Sequence, residues 1–172
     1  MKAKILETER LRLRKLTTGD AAFILRLLNE PSFMENIGDK GVRTLEDARN
    51  YIVNGPVASY ERFGFGLFCV EEKASGAAIG MCGLLKRDAL DDVDLGYALL
   101  PEFCSKGYAV ESAAGVMRFA NHTLGLNRVV AITSPDNQRS IRVLEKLSFR
   151  FDKRIRLSAD AEELNLFVCE LR

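Results

Sequence analysis

Histidine is nearly absent from this chain. His122 stands alone, and the four cysteines, Cys69, Cys82, Cys104 and Cys169, form no CxxC pair. A zinc site therefore lacks its usual donors. Long apolar runs are missing too, so nothing reads as the roughly 20-residue segment that crosses a membrane. The opening MKAKILETERLRLRKL alternates charged with apolar residues, where an export signal needs an unbroken apolar stretch. Without export no disulfide framework is expected, and the chain reads as a reduced, cytoplasmic protein. An excess of either charge is also missing, with 25 Lys+Arg against 24 Asp+Glu. That balance gives no support to a general nucleic-acid or membrane-surface binder.

What is present is an ordinary globular composition, 47% hydrophobic and 28% charged over 172 residues. The length suits one domain, 1–172, with a substantial core. Residues 5–16 alternate with period two, Leu11 and Leu13 against Arg10, Arg12 and Arg14, which predicts one half-buried strand with a cationic outer face. Thr17 with Asp20, and Thr44 with Asp47, open two helices as acidic variants of the capping box. Pro31 is expected to stop the first helix, and Pro56 to break or distort the second before Arg62. FGLFCVEE, KASG and AAIGMCGLLKR read as a hairpin, and DLGYALL as a third strand after the acidic DALDDVD. A helix follows Gly107, then strand RVVAIT, a short helix over NQRSIRVLEKL and two closing strands. The predicted class is mixed α/β (α+β), with about seven strands and about four helices.

One unit carries chemical information. The third strand, the loop PEFCSK and the helix from Gly107 make a strand–loop–helix. Backbone N–H groups at a helix start lack intrahelical partners and carry the positive end of the dipole. Small residues let such donors close on a phosphate. SKGYA is neither a Walker loop nor a GxGxxG fingerprint, so its spacing alone fits a pyrophosphate cradle and a plain helix start equally.

Four stretches then carry a resemblance: TERLRLRKL, LGYALLPEF, CSKGYAVESA and NQRSIRVLEKLSF. In their order and spacing they are similar to the GNAT acyl-CoA N-acyltransferases, in the branch of ribosomal-protein N-terminal acetyltransferases. The resemblance implies a mostly antiparallel sheet splayed at its centre, with acetyl-CoA as cosubstrate in the cleft. It implies backbone contacts from Leu99 and Leu100 to the pantetheine arm. It places Cys104, Ser105, Lys106, Gly107, Tyr108 and Ala109 at the pyrophosphate, and Asn137 and Ser140 beside the thioester. It also implies an amine acceptor, a small molecule or a protein N-terminus. A ribosomal protein is among the partners it suggests, and the chain would act as monomer or homodimer. The sequence departs from the family pattern at Cys104, where Gln or Arg is usual, and at Ser148, where glycine is. Leu144 stands where many relatives place a tyrosine that protonates the leaving thiolate.

Individual residues keep two readings. Asp94 is a general base or a solvated strand-edge carboxylate; Ser140 polarises the leaving sulfur or caps a helix; Asn137 meets the cofactor or serves only as N-cap. Cys104 as a covalent nucleophile lacks a nearby histidine. The lysines and arginines from Arg139 to Arg156 read as a solvated face, or as a contact for the CoA 3′-phosphate or an RNA-rich partner. Deprotonating a lysine-like amine of pKa about 10.4 at pH 7 costs about 4.6 kcal/mol, against about 1 kcal/mol for an N-terminal amine. The acidic DALDDVD stretch therefore suggests a cationic acceptor. The whole is expected to be an acetyl-CoA-dependent amine N-acetyltransferase acting in a ternary complex; a non-catalytic acyl-CoA-binding module is the alternative.

Overall fold

The computed structural model describes residues 3–172. The period-two segment predicted as one strand folds as a hairpin: β1 (Lys4–Glu7) and β2 (Leu11–Arg14) pair antiparallel. Thr8 makes the turn, its N–H donating to Leu11 O at 2.9 Å and its Oγ1 accepting from Leu11 N–H at 3.2 Å. A threonine can satisfy backbone groups locally in this way and so reverse a chain whose apolar pattern runs on. The outer face is not uniformly cationic. Arg12 is exposed, whereas Arg14 is buried and holds Asp20 through two hydrogen bonds of 2.9 Å.

Helices α1 (Ala21–Leu28) and α2 (Pro31–Asn36) follow. Pro31 ends nothing by itself; it occupies the first turn of α2, where its missing N–H costs nothing. Thr44 caps α3 (Leu45–Ile52) through a full capping box with Asp47. Pro56 then falls in a π-helical turn, Val53–Val57, that joins α3 to α4 (Ala58–Phe63), so the helix is distorted rather than broken.

Strands β3 (Leu67–Glu72), β4 (Ala78–Leu85) and β5 (Asp94–Leu99) form the antiparallel meander. Helix α5 (Tyr108–His122), β6 (Arg128–Thr133), α6 (Gln138–Lys146), β7 (Arg150–Ile155) and β8 (Leu164–Glu170) complete the chain. The sheet has eight strands in the order β1-β2-β3-β4-β5-β6-β8-β7.

Each face of the sheet carries its own core because strand side chains alternate. Phe68, Val70, Cys82 and Leu84 pack toward Ala113, Val116 and Ala120 of α5. Cys69 and Met81 face the other way, toward Ile24, Leu27 and Leu28 of α1 and Ala48 and Ile52 of α3. Among the described residues no helix is long and apolar enough to cross a membrane.

Candidate active site

β5 pairs with β4 along its whole length, but β5 and β6 meet at one position, Asp94 opposite Val130. Beyond it the parallel neighbours part. Leu100 N–H donates to Ile79 O on the β4 side at 2.8 Å, while Val93 O accepts from Val130 N–H of β6 at 3.0 Å. A strand's backbone groups alternate in direction, so those of Leu95, Tyr97 and Leu99 turn into the gap. Leu100, expected beside Leu99 as a backbone partner, already donates to Ile79 and accepts from Phe103 N–H at 3.0 Å. Leu99 is the one of the two whose backbone faces the opening.

The loop after β5 supplies a second set of donors. None of the amides from Ser105 to Val110 has a protein acceptor among the described residues, and the start of α5 has no side-chain cap. Ser105 and Gly107 both adopt left-handed backbone, at φ 61° and 82°. Arg10 braces this loop from below. Its guanidinium donates to Lys106 O at 2.9 Å and to Glu111 at 2.7 Å, and it lies 4.4 Å over the Tyr108 ring. Burial pushes the Glu111 carboxyl up, but hydrogen bonds from Thr8 and Arg10 win and hold it below the usual carboxylate range. The negative charge in the first turn of α5 is thus neutralised, leaving the loop amides able to take an anion. The Tyr108 hydroxyl donates to Glu72, so this residue packs rather than reaching the gap. Cys104 Sγ lies 3.6 Å from Leu100 O, half-buried behind the loop.

Helix α6 closes the opposite side. Asn137 is its N-cap, its side chain accepting from Ser140 N–H at 3.2 Å. From the first turn of α6, Ser140 Oγ reaches the Tyr97 hydroxyl at 2.6 Å, and an Arg139 nitrogen lies 3.4 Å from Ser105 Oγ. Burial pushes the Tyr97 phenol up to about 12, against its hydrogen bond with Ser140. Tyr97 was not singled out from the sequence. Its signal is parity: it sits between Leu95 and Leu99 on the strand edge that opens. Leu144 is buried in the core and contributes nothing polar.

Asp94 is neither open to an acceptor nor a solvated edge group. It is 1% exposed, and both oxygens accept from Arg87 Nε, at 3.2 and 3.3 Å. Burial raises its pKa, and Arg87 opposes the shift. Asp92 pairs with Arg128 at 3.0 Å, so arginines of the chain itself neutralise much of the acidic stretch. On the Asp94 face of β5, two cavities of about 300 and 420 Å³ share Tyr51, Asn54 and Gly55. Leu67 and Leu85 line the first and also flank Gly96, so this cavity abuts the middle of β5.

The family description "Acetyltransferase (GNAT) domain" matches residues 10–150. The chain belongs to the GNAT acetyltransferases and is an N-acetyltransferase of the acetyl-CoA-using kind. It is similar to the uncharacterized N-acetyltransferase YoaA of Bacillus subtilis, 29% identical over 148 residues, covering 85% of this chain and 82% of that one. An acetyltransferase of Agrobacterium tumefaciens superposes with a TM-score of 0.81 at 26% identity, over 96% of this chain and 94% of the other. RimL, a ribosomal L7/L12 α-N-protein acetyltransferase solved with coenzyme A, has the same fold, with a TM-score of 0.84, 17% identity and 98% of both chains covered.

Proposed function

We propose that the gap between β5 and β6 holds acetyl-CoA, and that a primary amine entering from the Asp94 face attacks the thioester directly. One observation carries this reading. The unpaired backbone edge of Leu95, Tyr97 and Leu99 and the acceptor-less amides of Ser105 to Val110 border one opening. Extended amides suit the pantetheine arm, and a helix start with free N–H groups suits the pyrophosphate. Leu99, Ser105, Lys106, Gly107, Tyr108 and Ala109 would make these contacts through their backbones, so the unusual Cys104 does not impair them. Asn137 sets the first turn of α6 and thereby Ser140.

When bound, acetyl-CoA supplies an activated acyl group and a thiolate leaving group. Backbone N–H groups of β5 facing the gap, Tyr97 first among them, stabilise the developing oxyanion. Ser140 Oγ–H donates to the departing sulfur, and the Tyr97 hydroxyl, protonated at neutral pH, donates to Ser140 Oγ in turn. This pair replaces the tyrosine missing at Leu144. Asp94 acts through Arg87, which it orients, and the amine proton leaves by water. That route suits an acceptor of N-terminal type, whose deprotonation costs about 1 kcal/mol at pH 7.

The testing experiment is thiol release from acetyl-CoA with a panel of peptides, amino acids and polyamines. Amine-dependent release supports the reading. Binding of acetyl-CoA without release for any amine would leave only an acyl-CoA-binding module.

A further inference from the structure

Two buried side-chain oxygens have no hydrogen-bond partner among the described residues, Thr133 Oγ1 on β6 and Asn165 Oδ1 on β8. Thr133 is 5% exposed and Asn165 8%. They stand directly opposite in the β6–β8 register, yet do not bond each other. The buried polar groups elsewhere, Arg14, Asp20, Asp94 and Ser112, are all engaged. A buried hydroxyl without a partner is costly, and valine would give a strand nearly the same shape without that cost. Such groups are few in folded proteins, and a catalytic role is one reason they persist.

Thr133 stands where a role in the reaction is open to it. β5 and β6 part after Asp94 and Val130, and Tyr97 and Thr133 each lie three residues beyond that pair, at one level of the opening. They also share a face. Leu95 and Ala131 belong to one core cluster under α5, Tyr97 packs against it, and Thr133 is two residues on from Ala131. Thr133 is the last residue of β6, and Ser134 to Asp136 alone separate it from the Asn137 cap of α6. Asn137 N–H closes that turn on Ser134 O at 3.1 Å. Ser140, in the first turn of α6, meets the Tyr97 hydroxyl on this same face. Asn165 lies one strand farther from the gap.

We propose that Thr133 is a further catalytic residue, its Oγ–H donating to the thioester sulfur from the β6 side while Ser140 donates from α6. This rests on the cofactor site assigned above. As the amine nitrogen bonds the acyl carbon, the carbon–sulfur electron pair passes to sulfur. Ser140 supplies the proton that neutralises it, and Thr133 keeps its own, contributing a hydrogen bond that strengthens as charge develops. Two donors on opposite walls also fix the sulfur in place.

The test reads the thiol of bound coenzyme A, whose ionised form accepts the proposed hydrogen bond. Its pKa is measured from thiolate ultraviolet absorbance, as the difference between loaded and free protein across a pH titration. Thr133→Val is expected to raise that pKa by about one unit, because a donor to the charged form is lost. The melting temperature of the free protein should stay level or rise, since an unpartnered hydroxyl gives way to a methyl group. Thr133→Ser, which keeps the hydroxyl, should restore the wild-type thiol pKa, and Asn165→Leu should leave it unmoved. An unchanged pKa in Thr133→Val, a failure of Thr133→Ser to restore it, or an equal shift in Asn165→Leu would overturn the proposal. So would a lower melting temperature for Thr133→Val, which would give the hydroxyl a purely structural partner. Coenzyme A that does not bind at all would overturn the cofactor site itself. The thiol is read without turnover, so failure of acetyl transfer alone counts against the proposed function and not against Thr133.

Discussion

The Tyr97 hydroxyl and Ser140 Oγ lie 2.6 Å apart across the opening where β5 leaves β6. The contact joins a strand to a helix start 43 residues later in the chain, and in the function proposed above it supplies the proton donor. General acid catalysis contributes about 10² to 10⁴ in rate. Ser140→Ala is expected to lower kcat by about 10²-fold with the KM for acetyl-CoA nearly unchanged. Tyr97→Phe should cost less, and the double variant no more than Ser140→Ala alone, because the two act as one unit. Steady-state kinetics on the three variants checks this; additive losses would separate the residues.

Gly107 has φ 82°, and a Cβ there would sit 3.2 Å from an Arg10 nitrogen. Left-handed backbone costs a non-glycine residue about 1–2 kcal/mol. Gly107→Ala is therefore expected to lower stability by about that amount and to raise the KM for acetyl-CoA by a larger factor than Gly125→Ala. Gly125 also has positive φ, 67°, but lies at the far end of α5. The pair separates backbone strain from cofactor contact. Equal KM values in the two variants would make Gly107 an ordinary turn residue.

Much of this was legible in the sequence. The Thr44–Asp47 capping box, the meander and the helix after Gly107 were read from residue type and spacing, because local hydrogen bonding and side-chain periodicity determine them. The β1–β2 hairpin was not, since the apolar alternation runs through Thr8 and only the hydroxyl's two bonds to Leu11 reveal the turn. Arg14 looked like its exposed neighbours until Asp20 was brought beneath it. The site divides in the same way. A loop of small residues before a helix fits an anion site and a plain helix start equally from spacing alone, and only the family resemblance favours the first. Tyr97–Ser140 and Asp94–Arg87 depend on tertiary geometry, and the acidic stretch misleads because its arginine partners lie elsewhere on the chain.

Asp94 provides a pH test with a definite sign. Its native pKa is raised by burial, so between the unfolded value of about 3.9 and the native one the folded chain holds more protons. Stability is then lost as pH rises through that window. Asp94→Asn should remove this pH dependence, measured by urea unfolding from pH 4 to 7. The variant should lower kcat without moving the acidic limb of the pH–rate profile, since that limb belongs to the acceptor amine. A limb that disappears in Asp94→Asn would make Asp94 the base.

Ser148 has φ 68° at the end of α6, where Phe149 N–H bonds Leu144 O at 3.0 Å. This is a left-handed helix terminus occupied by a residue with a Cβ. Ser148→Gly is expected to add about 1 kcal/mol, a rise of about 2–4 °C in Tm, without altering kcat. A thermal melt decides it, and no rise would show that hydrogen bonding at Ser148 offsets the strain.

Amide hydrogen exchange with and without saturating acetyl-CoA tests the cofactor site most directly. The amides from Ser105 to Val110 have no protein acceptor and should exchange quickly in the free protein. Bound acetyl-CoA should slow these amides and those of Tyr97 and Leu99 by at least about tenfold. Amides on the β7 edge should be unaffected. Saturating acetyl-CoA that leaves residues 105–110 exchanging at the free rate would contradict the site.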